Sequence, residues 1–146
     1  IGLIGFSLGG GACINAASLD PGVQAVVTIG AMARPVDVMR IPFAKKGIPY
    51  PLVWLFFRFL EIRYRLNFTK IAPVNHIAQV QAPTLIIHGK EDRIVLPDQG
   101  RKLMASANPD NTELWEVTGL AHGEWDNVPG FFTRVQQFLQ HSLRDL

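Results

Sequence analysis

The sequence predicts an α/β fold: a parallel sheet of about four strands, helices on both faces, and one helical insertion. Three observations carry this. Apolar, β-branched runs at residues 1–6, 23–29, 84–88 and 112–117 alternate with helical stretches at 8–19, 96–107 and 130–143. A Gly-x-Ser-x-Gly turn, Gly5-Phe6-Ser7-Leu8-Gly9, joins the first strand to the first helix with no spacer. A proline-rich interval at residues 31–74 interrupts the alternation once, and it then resumes.

Each element has a local reason. Residues 1–6 are apolar throughout, as a strand buried on both faces requires. In the helix at 8–19, Ala12, Ala16 and Leu19 recur near helical spacing, and the glycines allow close approach to a sheet. Asp20-Pro21-Gly22 is a turn, with proline presetting φ and glycine supplying the unusual angle. The second strand ends at Gly30. The interval that follows holds Pro35, Pro42, Pro49, Pro51 and Pro73 among aromatic residues, with one helix expected at 51–66. It is too short to stand alone, so residues 33–73 are expected to lie over the sheet as an insertion. Pro83 precedes the third strand, which closes at Gly89, and Pro97 opens the next helix. In the last helix Phe131, Val135, Phe138 and Leu139 form one apolar side.

Composition narrows the function classes. The 146 residues fit one domain, and 48% apolar content against 18% charged content is that of a globular chain. A net charge of +2 gives no strong pull toward nucleic acid. The cluster Lys45, Lys46, Arg58, Arg63 and Arg65 reads as a solvated face. The single cysteine, Cys13, excludes an internal disulfide and reads as a buried packing group, in keeping with a reducing, cytoplasmic location. No run is long enough for a membrane span; the apolar stretch 52–57 stops at Arg58. Glycine spacing from Gly5 to Gly11 does not match a dinucleotide fingerprint, and no His, Cys or Asp cluster has metal-ligand spacing. No cofactor is expected.

Three loops after three strands each carry one reactive polar group. A strand-to-helix turn as sharp as residues 5–9 lifts the Ser7 hydroxyl clear of the sheet, and a Cβ at either flanking glycine is expected to collide with its neighbours. Asp92 follows the third strand in His88-Gly89-Lys90-Glu91-Asp92, with Glu91 as the competing carboxylate. His122 follows the fourth in Gly119-Leu120-Ala121-His122-Gly123. Parallel strands deliver these loops to one sheet edge, where they can meet. The chemistry needs all three. A serine hydroxyl requires a base, neutral imidazole has the right proton affinity, and a carboxylate orients the ring. The Leu8 backbone N–H, in the first helical turn, faces a developing oxyanion. His88 reads as structural, His76 as a cap or site lining, and His141 as exposed; Glu124 and Asp126 lie out of order beyond the histidine.

On these three stretches the chain resembles the C-terminal part of an α/β-hydrolase. It is similar in particular to the serine aminopeptidase-like and Bem46-like hydrolases, which insert a short helical lid after the sixth strand. The resemblance implies a Ser7–His122–Asp92 triad and a lid at about 33–73. It implies hydrolysis of an ester, thioester or amide in a small molecule or peptide, through an acyl-enzyme. A binding protein, a lyase or a perhydrolase on the same fold is the alternative. The lid aromatics Trp54, Phe56, Phe57, Phe59 and Phe68 are expected chiefly to pack, with an apolar acyl or aryl substrate group as the functional reading. Val95-Leu96-Pro97 stands where Val-Pro is commoner. The larger departure is the absence of a front half bearing a second oxyanion donor. The first strand is then expected to expose an apolar edge that favours association over solubility.

Overall fold

The computed structural model describes residues 1–143. Four strands, β1 (Gly2–Phe6), β2 (Ala25–Ile29), β3 (Thr84–Gly89) and β4 (Thr112–Val117), form a wholly parallel sheet in that order. Phe6 pairs with Ile29, Ile29 with Ile87, and Gly89 with Val117, so the C-terminal ends align along one edge. The expected α/β architecture is present, and β1 lies at the sheet's margin with Ile4 and Phe6 55% and 37% exposed.

Alternation along the strands divides the core into two layers. Val26 and Ile86 face α1 (Leu8–Leu19) and α4 (Asp98–Ser106), packing with Ile14, Ala17 and Leu103. Val27, Ile29, Leu85 and Ile87 face the other way, against Phe131 and Val135 of α5 (Phe131–Ser142). The apolar side expected for α5 is the one that packs. The face expected for α1 is not. Its buried residues are Gly10, Gly11, Ile14 and Ala17, while Leu19 is 82% exposed. Glycine is the reason: at Gly10 a Cβ would come within 2.9 Å of Ala31, so α1 lies closest to the sheet along its side-chain-free side.

Between β2 and β3 the chain leaves the sheet and returns where Val74 N–H donates to the Ala33 carbonyl at 3.2 Å. Two helices fill this segment, α2 (Pro35–Lys45) and α3 (Tyr50–Tyr64). Sequence reasoning placed only the second, because Pro42 inside α2 reads as a breaker. Helix α3 ends at Arg65, which adopts the left-handed conformation at φ 53°. Glu61 holds that end, pairing with Arg58 at 2.6 Å and accepting from the Phe68 N–H at 3.0 Å. Of the aromatics expected to pack, Phe57 is buried, but Trp54, Phe56 and Phe59 are 49%, 43% and 59% exposed. No helix among the described residues is long and apolar enough to cross a membrane.

Candidate active site

Ser7 sits between β1 and α1 with φ 52° and ψ −118°, a left-handed backbone that a β-carbon disfavours. Two features hold it there. Its N–H continues the parallel ladder by donating to the Ile29 carbonyl at 2.8 Å, and α1 begins at the next residue. Gly5 is indispensable to the turn: a Cβ there would overlap the Gly9 carbonyl and lie 2.7 Å from the Cys13 sulfur. Gly9 is different. A Cβ there meets nothing within 4 Å, so the expected collision at the second glycine does not occur among the described residues. Leu8 opens α1, and the first helical N–H groups lack intrahelical acceptors by position.

Asp92 is 3% exposed, and both its oxygens are engaged. Oδ1 accepts from the backbone N–H groups of Ile94 and Val95, each at 2.9 Å. Oδ2 faces His122 Nδ1 at 2.6 Å. A carboxylate can only accept, so Nδ1 carries the hydrogen of this bond. Glu91 is turned elsewhere: its Oε2 accepts from the Gly119 N–H at 2.8 Å, tying the acid loop to the histidine loop.

His88 is fully buried one turn behind the acid. Its Nε2 donates to the Val95 carbonyl at 2.8 Å and lies 3.8 Å from Asp92 Oδ2. Val95 is thus gripped at its carbonyl by His88 and at its N–H by Asp92, which makes the structural reading of His88 the right one. His76 bonds the Lys70 carbonyl at 2.6 Å at the foot of the two-helix segment, and His141 is exposed. Cys13 is half-buried, not buried, and burial pushes its thiol above the ordinary 9.0.

Three residues to which sequence reasoning gave no part in the site complete the surroundings. Gly30, at φ +57°, follows β2 directly beneath the pair: a Cβ would lie 3.3 Å from His122 Nδ1 and 3.4 Å from Asp92 Oδ2. Gly89 ends β3 against the Leu120 carbonyl, where a Cβ would overlap it outright. Phe6, the residue before Ser7, lies tilted against His122 with ring centroids 4.7 Å apart and meets Trp125 edge-on at 5.0 Å. The signal for both glycines was their place at strand ends; what lies opposite them is set by other loops.

Ser7, Asp92 and His122 therefore sit on one sheet edge. Asp92 and His122 touch, and Phe6 joins the serine turn to the imidazole. Among the described residues the Ser7 hydroxyl itself forms no hydrogen bond to His122.

The comparisons with known proteins agree with this topology. Over 96% of its length the chain superimposes on the esterase domain of a Rhodothermus marinus protein, with a TM-score of 0.70 and 22% identity, covering 59% of that chain. The chain has the α/β-hydrolase fold. It is 37% identical over 68 residues, 46% of its length, to 2-hydroxy-6-oxononadienedioate/2-hydroxy-6-oxononatrienedioate hydrolase 2 of Pseudomonas putida, of which the match covers 23%. To the alpha/beta hydrolase domain-containing protein 17C of Xenopus tropicalis it is 28% identical over 85 residues, 58% of the chain and 27% of that protein. The chain thus spans about a quarter of the length of these curated relatives. No family model matches it.

Proposed function

We propose that this α/β-hydrolase-fold chain carries the catalytic triad of a serine hydrolase that cleaves an ester, thioester or amide through an acyl-enzyme. The observation that carries the reading is the 2.6 Å bond from His122 Nδ1 to a buried, fully engaged Asp92, on the sheet edge where Ser7 occupies a left-handed turn. With Nδ1 committed to Asp92, His122 Nε2 is the free base. It takes the Ser7 proton as Oγ attacks the acyl carbon, and the resulting imidazolium is stabilised by the Asp92 carboxylate. The Leu8 N–H, at the positive end of α1, contributes one donor to the oxyanion. Collapse of the tetrahedral adduct expels the leaving group, which receives the proton from His122; water then repeats the sequence to release the acid and restore Ser7. Residues 33–73 serve as the lid above this edge, and the substrate is a small molecule or peptide with an acyl group.

A fluorophosphonate probe tests the assignment. The purified protein is expected to label covalently, Ser7→Ala to lose all labelling, and Asp92→Asn to label far more slowly. Absence of labelling in the parent protein, with far-UV circular dichroism unchanged, favours a binding protein on the same fold and overturns the proposal. Retained labelling in Ser7→Ala assigns the nucleophile elsewhere.

A further inference from the structure

Helix α3 is apolar on two opposite faces. On one, Val53 and Phe57 are buried, with Phe57 packed edge-on against Phe43 at 6.1 Å and Phe68 at 5.7 Å. On the other, Leu52, Leu55, Phe56, Phe59 and Ile62 follow one another at helical spacing and are 58%, 58%, 43%, 59% and 73% exposed. A helix apolar all round belongs where both faces are covered, and a contiguous exposed apolar stripe marks a docking surface. Within the described residues α3 packs on α2, and of this stripe Phe56 alone meets an aromatic neighbour, Phe43 of α2 at 5.6 Å.

The rim of the stripe is cationic. Arg63 and Arg65 lie at its C-terminal end, and Lys45 and Lys46 lead into the turn before α3, all exposed. Residues 34–70 hold eight basic and two acidic residues; the remainder of the chain holds six basic and ten acidic. Positive charge is therefore concentrated on the segment that also exposes the apolar stripe. Tyr50 and Tyr64, at the two ends of α3, are 60% and 61% exposed, as amphipathic rings are at a membrane boundary.

We infer that α3 is a docking helix for an anionic lipid surface. With 15 residues it is too short to span a bilayer, which needs about 20, but it suits a helix lying in the headgroup plane. The leucines and phenylalanines enter the acyl boundary, and the lysines and arginines reach lipid phosphates and carboxylates. A second copy is the poorer occupant, because a two-fold contact brings the cationic rim against itself. The inference gives the proposed lid segment a second role and uses no residue of the Ser7–His122–Asp92 set, so its failure leaves the hydrolytic reading untouched.

Vesicle flotation of the full chain tests it, because flotation separates bound protein from aggregates that sink. Vesicles of phosphatidylcholine with phosphatidylserine are expected to carry the protein up, and phosphatidylcholine alone to carry much less. Leu55→Glu with Phe59→Glu should lower partitioning roughly tenfold or more. Arg63→Gln with Arg65→Gln should lower partitioning to anionic vesicles about fivefold per residue, and raised salt should lower it as well. Leu19→Glu, on α1 at a site 82% exposed, should change nothing, and Ser7→Ala should float like the parent. No flotation, equal flotation with neutral and anionic vesicles, or a Leu55→Glu/Phe59→Glu protein that becomes smaller in solution without any parent flotation each overturns the inference. The last result assigns the stripe to a second copy.

Discussion

The Asp92–His122 side of the candidate site and the Ser7 side are built on different principles. Around β3 and β4, every element is cross-tied. Asp92 is held by two N–H groups and His122, Val95 by His88, Gly119 by Glu91, and Gly89 lies flush against Leu120. Around β1, the serine turn depends on one neighbouring strand, through the Ser7 to Ile29 bond, and on the compactness of Gly5. The imidazole tautomer is therefore preset without any help from the serine. The position of the serine is a property of its backbone alone.

The sharpest way to break the comparison is to remove the tautomer control and leave the serine turn intact. Asp92→Asn should lower turnover by about four orders of magnitude, because the amide no longer requires Nδ1 to carry the hydrogen. Acyl-enzyme burst kinetics with an activated ester check this, and a loss of less than tenfold would show that the acid side is not preset. Next in size is a paired glycine test on the nucleophile side. Gly5→Ala should destabilise by about 1–3 kcal/mol, since both the Gly9 backbone and Cys13 must move. Gly9→Ala, facing open space inside α1, should be neutral or stabilise by up to about 1 kcal/mol. Urea unfolding of both variants distinguishes these outcomes, and equal effects would mean that the turn tolerates no side chain at either end.

Smaller effects sharpen the contrast. Glu91→Gln keeps an acceptor for the Gly119 N–H, so activity should fall no more than a few-fold, whereas Glu91→Ala frees the histidine loop and should cost about 1–2 kcal/mol. The two can be compared by thermal unfolding and by labelling rate. Least of all, Cys13 should react slowly with Ellman's reagent at pH 8. Burial raises its pKa, so the folded state keeps the unreactive thiol, and unfolding in urea should speed the reaction severalfold. Fast reaction in the native protein would place Cys13 in solvent and Gly5 under no pressure from its sulfur.

Much of the site was legible without coordinates, because residue type and order carry it. A serine between glycines after an apolar strand, an acid after the third strand and a glycine-flanked histidine after the fourth are local patterns. Other features were not. The packed face of α1 runs through Gly10, Gly11, Ile14 and Ala17, not through Ala12, Ala16 and Leu19, so apolar spacing misled. Helix α2 was hidden by Pro42. Gln99 reads as an ordinary helical residue, yet its buried Oε1 accepts from both Ala33 and Arg34 and anchors the start of the two-helix segment to α4. The exposure of Trp54, Phe56 and Phe59 ran against the expectation that the lid aromatics chiefly pack.

By itself the chain determined the alternation of strands and helices and which residue types reach the C-terminal edge, because both are written in short-range periodicity and turn chemistry. Tertiary structure alone decided that Glu91 ties down Gly119, that Gly30 lies beneath the Asp92–His122 pair, and that Gly9, unlike Gly5, is free. Those outcomes depend on the register between β2, β3 and β4 and on how closely α1 approaches the sheet. Both are fixed by contacts among residues far apart in sequence, so no local pattern could encode them.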